Sequence, residues 1–160
     1  MTIGIKIILP KKVPFDLGKF QKSAIDTLND VREGVQRDFE STTATWKNKP
    51  GFKGKRATGI SFVSRMWSNQ NQWIWVSGGT RPHIIVPRRA SRLRFQSGYR
   101  RKTTVGRLGS RAGGSFGGTV FAKAVRHPGN KPAGFEKTSA DKWQPKLVKM
   151  VKQDIRDATN

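Results

Sequence analysis

The stretch DLGKFQKSAIDTLNDVREGVQRDFES, Asp16 to Ser41, decides the fold class. Within it Leu17, Phe20, Ala24, Leu28, Val31, Val35 and Phe39 recur at steps of three or four and so line one face of an α-helix. Asp16 is placed to cap that helix by accepting from free amides of its first turn, while Phe15 and Phe20 have the spacing of a hydrophobic staple. A helix from about Asp16 to Ser41 follows.

The far end of the chain repeats the pattern. Trp143, Leu147, Val151, Ile155 and Ala158 fall at near-fourfold steps, which predicts a second amphipathic helix with Pro145 in its first turn, where a missing N–H is tolerated. The residues between these helices carry strand and turn signals. Ile60 to Trp67 and Trp73 to Val76 are rich in β-branched and aromatic residues about a polar Ser68 to Gln72 turn, so an antiparallel hairpin is expected, with Trp67, Trp73 and Trp75 packed in it. Ile84 to Val86 and Leu93 to Phe95 read as short edge strands, and Thr119 to Val125 as a further strand. Alternation over Ile3, Ile5, Ile7 and Leu9 suggests an N-terminal strand ended by Pro10, and Trp46 to Lys55 reads as an extended loop. Helix, strands, helix is the order of an α+β protein with an antiparallel sheet.

A chain of 160 residues fits one domain with one core. It contains no cysteine, so disulfides and Cys-based zinc sites are excluded. No apolar run approaches the roughly 20 residues of a membrane span, and Met1 to Leu9 is too short for a signal peptide, so a soluble protein with no membrane partner is expected.

The net charge is +22, and its distribution is the stronger fact. Between Glu40 and Glu136 there is no acidic residue, yet that interval holds nineteen Lys and Arg. Charge of one sign repels itself and calls for a compensating partner: nucleic acid or an acidic protein first, an anionic membrane after them. The segment from Gln96 to Gly118 has seven glycines, five basic residues and few apolar ones, which predicts a flexible arm unable to fix its own shape. Its charges, Arg100, Arg101, Lys102, Arg107 and Arg111, suit a neighbouring subunit or a phosphate backbone. Arg88, Arg89, Arg92, Arg94 and Arg126 extend the basic surface.

Catalytic chemistry finds little here. The only histidines are His83 and His127, each beside a proline, and the central region has no carboxylate to orient them or hold a metal. Asp26, Asp30, Glu33 and Glu40 do not share one narrow helical stripe, and the glycines of 106–118 lack the Lys and Ser/Thr of a phosphate-binding loop. No catalytic residue, metal site or cofactor is expected, and both His turns are expected to be structural.

One region carries a further pattern. Gly79-Thr80-Arg81-Pro82-His83-Ile84-Ile85, then Pro87-Arg88 and Leu93-Arg94-Phe95, then Val120-Phe121-Ala122-Lys123 and Val125-Arg126-His127-Pro128-Gly129, resembles the small tail-completion or neck proteins of long-tailed bacteriophages, the gene-product-ten family. The resemblance spans roughly Trp73 to Lys131, with the N-terminal helix and Thr45-Trp46-Lys47 in consistent places; the length and arginine content of 96–118 depart from it. It implies a virion subunit, assembled in the host cytoplasm into a hexameric ring at the head-tail junction. There it would meet head-completion or connector proteins, tail-tube proteins and DNA in the channel. A tail-terminator ring and a non-viral, monomeric nucleic-acid-binding module are the alternatives, with a small nuclease or toxin behind them.

Overall fold

The computed structural model describes residues 14–58, 65–68 and 70–159. The strand expected over Ile3 to Leu9, the Ile60 to Ser64 part of the expected hairpin and the packing of the Trp67 side chain lie outside the described residues. The described chain is α+β: a long helix near each end and short antiparallel ladders between them. It divides into two compact units, one comprising residues up to Phe39, Phe52–Trp67 and Glu136 onward, the other Glu40–Gly51 and Ser68–Phe135. No helix among the described residues is long and apolar enough to cross a membrane.

The first unit is built on helix α1, Leu17–Thr43, and helix α3, Phe135–Asp157. Asp16 caps α1 as its position demands: the Lys19 amide donates to Asp16 Oδ1 at 2.9 Å, and the Phe15 and Phe20 rings pack 5.4 Å apart. Of the apolar stripe, Ala24, Val31, Val35 and Phe39 are buried and Phe20 and Leu28 half-buried, whereas Leu17 at the helix start is 64% exposed; Leu147, Val151 and Ala158 are buried from the α3 side. The two helices run antiparallel. The Asp16 amide donates to the Ala158 carbonyl at 2.8 Å, the Ser23 hydroxyl donates to Asp154, and Asp38 accepts from Trp143 Nε1 and Lys142 Nζ, each at 2.7 Å. A two-rung side-chain clamp holds the chain after strand β1, Lys53–Lys55, against α1: the Ala57 amide donates to Asn29 Oδ1 at 2.9 Å and Asn29 Nδ2 to the Ala57 carbonyl at 3.4 Å. β1 pairs with strand β2, Arg65–Trp67, so the stretch expected as loop ends in a strand.

α3 corrects the expected helix start. It begins at Phe135, not near Trp143, and Pro145 lies inside it. Pro145 and Asp141, whose carbonyl loses its usual donor, are both exposed, so water can satisfy that oxygen.

The second unit overturns half of the expected Trp hairpin. Asn71–Gly78 is a helix, α2, not a strand. Trp73 and Ser77, four apart, are buried together, whereas Trp75, two residues from Trp73, is 55% exposed. Trp73 lies between Trp46 at 6.5 Å and Phe135 at 5.1 Å, ring centre to ring centre, and this aromatic cluster outweighs the β-propensity of the segment.

The rest of the unit is one long antiparallel ribbon from Thr80 to Asn130. Strand β3, His83–Ile85, pairs with β8, Val125–His127; β4, Leu93–Gln96, with β7, Thr119–Ala122; and β5, Tyr99–Arg100, with β6, Gly114–Ser115. A bridge between Thr103 and Ser110 closes the tip. The strand expected over Thr119 to Val125 is thus two strands broken at Lys123 and Ala124, opposite a bulge from Val86 to Arg92.

The flexible arm expected over Gln96 to Gly118 is instead the distal half of this ribbon, and it doubles back. At its tip the Gly106 amide donates to the Ala133 carbonyl at 3.0 Å, the Gly109 amide to Thr42 Oγ1 at 2.8 Å and Lys102 Nζ to the Thr45 carbonyl at 2.7 Å. Thr103 is buried there. Composition missed this because the segment is held by its own ladder and by residues distant in sequence, not by apolar side chains of its own. Gly98, at φ 65°, lies at the break between β4 and β5, where a Cβ would sit 3.1 Å from the Gly117 nitrogen.

Candidate functional site

The root of the ribbon is where the two His-containing turns meet. Thr80 and Asn130 exchange N–H···O bonds of 3.0 Å, and His83 lies directly across the ladder from His127. Sequence showed two separate turns, each beside a proline; the register makes them one clasp. Gly79, at φ 78, and Gly129, at φ 82, are required by it: a Cβ on Gly79 would stand 2.7 Å from the Asn130 carbonyl oxygen, and one on Gly129 2.3 Å from that of Thr80. Arg81, Pro82 and Pro128 flank the clasp and are exposed.

Both imidazoles serve the turns that carry them. His83 Nδ1 donates to the Arg81 carbonyl at 2.9 Å, and His127 Nδ1 accepts from the Gly129 amide at 3.1 Å, so opposite tautomers are fixed by local backbone. The rings pack 4.9 Å apart. Among the described residues no group of three or more His, Cys, Asp or Glu could hold a metal ion.

Beyond the root the ribbon presents a repeated pairing. In a ladder, directly opposed residues share a face. Ile84 therefore shares a face with Arg126, and Arg94 with Phe121; Ile84 is 69% and Phe121 59% exposed. The opposite faces carry the less exposed residues, His127 and Val125 on the first ladder, Leu93 and Ala122 on the second. Arg88, Arg89 and Arg92 line the bulge between the ladders and, like Arg94 and Arg126, are exposed. None of these five guanidinium groups makes a hydrogen bond or ion pair among the described residues. The result is an exposed face of arginine beside large apolar groups, the composition favoured where one protein surface covers another.

The five basic residues of the distal segment do not form one patch. Arg100 lies over the Phe116 ring at 5.4 Å, Lys102 is tied to Thr45, and Arg111 Nε donates to the Arg101 carbonyl at 3.0 Å. Arg107 is exposed near the tip. Several of these charges therefore help to hold the ribbon as well as to present a field. The second unit as a whole carries fifteen Lys and Arg against one acid, Glu40.

These features define a class: a basic α+β protein that exposes a long β-ribbon with an arginine-apolar face. No family model, no curated protein and no solved structure matches the chain.

Proposed function

We propose that this protein is a structural subunit of the head-tail junction of a tailed bacteriophage, a neck or tail-completion protein that works as a ring, with no catalytic step of its own. The observation that carries the reading is the exposed ribbon. A two-stranded ribbon is marginal in water, its strands have open edges, and this one exposes Ile84, Val86 and Phe121 beside unpaired arginines. Such a surface is stabilised when it is covered, and a ring covers it with the next copy at every position.

The resemblance of the Gly79 to Ile85 and Val125 to Gly129 turns to phage neck proteins supplies the rest of the reading: the hexamer, the virion, the flanking connector and tail-tube proteins. The excess positive charge suits a channel that holds DNA. A tail terminator is the same kind of object one position further along the tail. A monomeric nucleic-acid-binding module draws its support from the charge alone and leaves the apolar face without a role.

Light scattering and negative-stain class averages of the purified chain, alone and mixed with connector or tail-tube proteins, test the reading. Rings that are lost on Phe121→Asp, with the far-UV circular dichroism spectrum retained, are expected. A monomer under every condition, with nucleic-acid affinity that falls steeply with salt, would replace it with the binding-module reading.

A further inference from the structure

The second unit carries another feature, distinct from the outer face of the ribbon. Where the returning strands approach the root, the second unit forms a cavity of 380 Å³, within the roughly 300 to 1,000 Å³ of small-ligand sites. Lys47, Arg101, Lys102 and Lys131 line it from three separate stretches of chain, with Tyr99 and His127. No carboxylate is among the described lining residues. Lys102 is fixed by its bond to the Thr45 carbonyl, whereas Lys47, Arg101 and Lys131 have no side-chain partner among the described residues.

Four cations around one concavity repel one another, and the fold gathers them without compensation. Tyr99, Arg101, Lys102 and Thr103 line the cavity from one arm of the ribbon, whereas Arg100 lies over Phe116. Tyr99 is 67% exposed, so a face or edge of its ring is open to a ligand. His127 uses Nδ1 in its own turn and keeps Nε2–H as a donor.

We infer that this cavity binds one nucleotide unit, with the phosphate held among Lys47, Arg101, Lys102 and Lys131 and the base against Tyr99. Phosphate chemistry is favoured over an acidic peptide because the cations come with an exposed aromatic ring at the same site. Stacking on such a ring rewards a base and gives a glutamate side chain nothing. The inference rests on the cavity alone and not on the ring reading.

Isothermal titration of the full-length chain with inorganic phosphate, thymidine 5′-monophosphate, a ten-residue oligothymidylate and hexaglutamate tests it. The nucleotide should bind at least about fivefold more tightly than phosphate, the low end of a single base stack. Tyr99→Ala, at an exposed position, should abolish that difference and leave phosphate binding unchanged. Arg101→Gln with Lys131→Gln should weaken both ligands at least about tenfold. Arg88→Gln with Arg92→Gln removes the same charge outside the cavity and should change neither. Two results support the inference and separate its sources: oligothymidylate weakened by the cavity substitutions marks a unit within a strand, and oligothymidylate untouched by them marks a free nucleotide. Three results overturn it: a nucleotide no tighter than phosphate, equal losses in cavity and control variants, or hexaglutamate as the one ligand whose binding depends on the cavity. Assembly mass measured on the same variants keeps this outcome apart from that of the ring proposal.

Discussion

Replacing Gly34 by alanine reverses the usual sign of a helix substitution. In an exposed helix interior the change stabilises by about 1 kcal/mol, because alanine loses less backbone entropy than glycine. Gly34 is instead buried in α1, and an added Cβ would lie 2.1 Å from Cη2 and 2.2 Å from Cζ2 of the Trp143 indole. Carbon atoms in contact prefer about 3.5 to 4.0 Å, so the ring must retreat by more than about 1 Å or the helices must part. The ring is not free to retreat. Its Nε1 donates to Asp38 Oδ2 at 2.7 Å, and the Lys146 ammonium lies 4.7 Å from its centre. Overpacking of this kind costs about 1 to 3 kcal/mol, and loss of the indole hydrogen bond adds about 1. Set against the gain in helix propensity, Gly34→Ala should destabilise by about 1 to 3 kcal/mol, or several degrees in melting temperature at about 2 to 4 °C per kcal/mol. Urea unfolding followed at 222 nm measures it, with an unchanged m-value showing that stability has moved and not the denatured state. In a Trp143→Leu background the clash is gone, and the same substitution should become neutral or stabilising. A Gly34→Ala protein more stable than the parent would refute the packing of α1 on α3 at this point.

Leu147 is only 2% exposed in the same unit, so Leu147→Ala should cost about 2 to 5 kcal/mol in urea unfolding, and a loss below about 1 would mean that α3 is not buried along this face. Gly129→Ala places a side chain at φ 82 and against the Thr80 carbonyl, and should speed amide hydrogen exchange at Thr80 and Asn130, whose mutual bonds form the clasp. Unchanged protection at both amides would show that the root does not need this turn. Replacing His83 and His127 together with Asn should leave assembly intact and remove no hydrolytic activity, as measured by ring mass and by nuclease and esterase assays; an activity present in the parent and absent in the variant would revive an enzyme reading.

Periodicity alone established the α+β class and the first helix with its cap, because an amphipathic stripe and a capping carboxylate act within a few residues of chain. It also placed the short strands at Ile84 and Leu93 to within a residue. Segments whose state depends on distant partners escaped it. Trp73 and Trp75 read as strand residues packed together in a hairpin, and only the cluster of Trp73 with Trp46 and Phe135 makes the segment a helix that buries one tryptophan and exposes the other. The start of α3 was hidden for the same reason, since the fully buried Phe135 has its amide on Ser77 Oγ and its ring 5.1 Å from that of Trp73, both more than fifty positions away. Glycine and arginine content described 96–118 as a free arm; cross-strand bonds and the contacts of its tip with Thr42, Thr45 and Ala133 fold it back. The charge was visible in the sequence, but its arrangement was not. Ladder register decides that Arg94 stands beside Phe121 and His83 beside His127, and the return of the tip decides that Lys47, Arg101 and Lys131 share one cavity, because those contacts join residues that no local pattern relates.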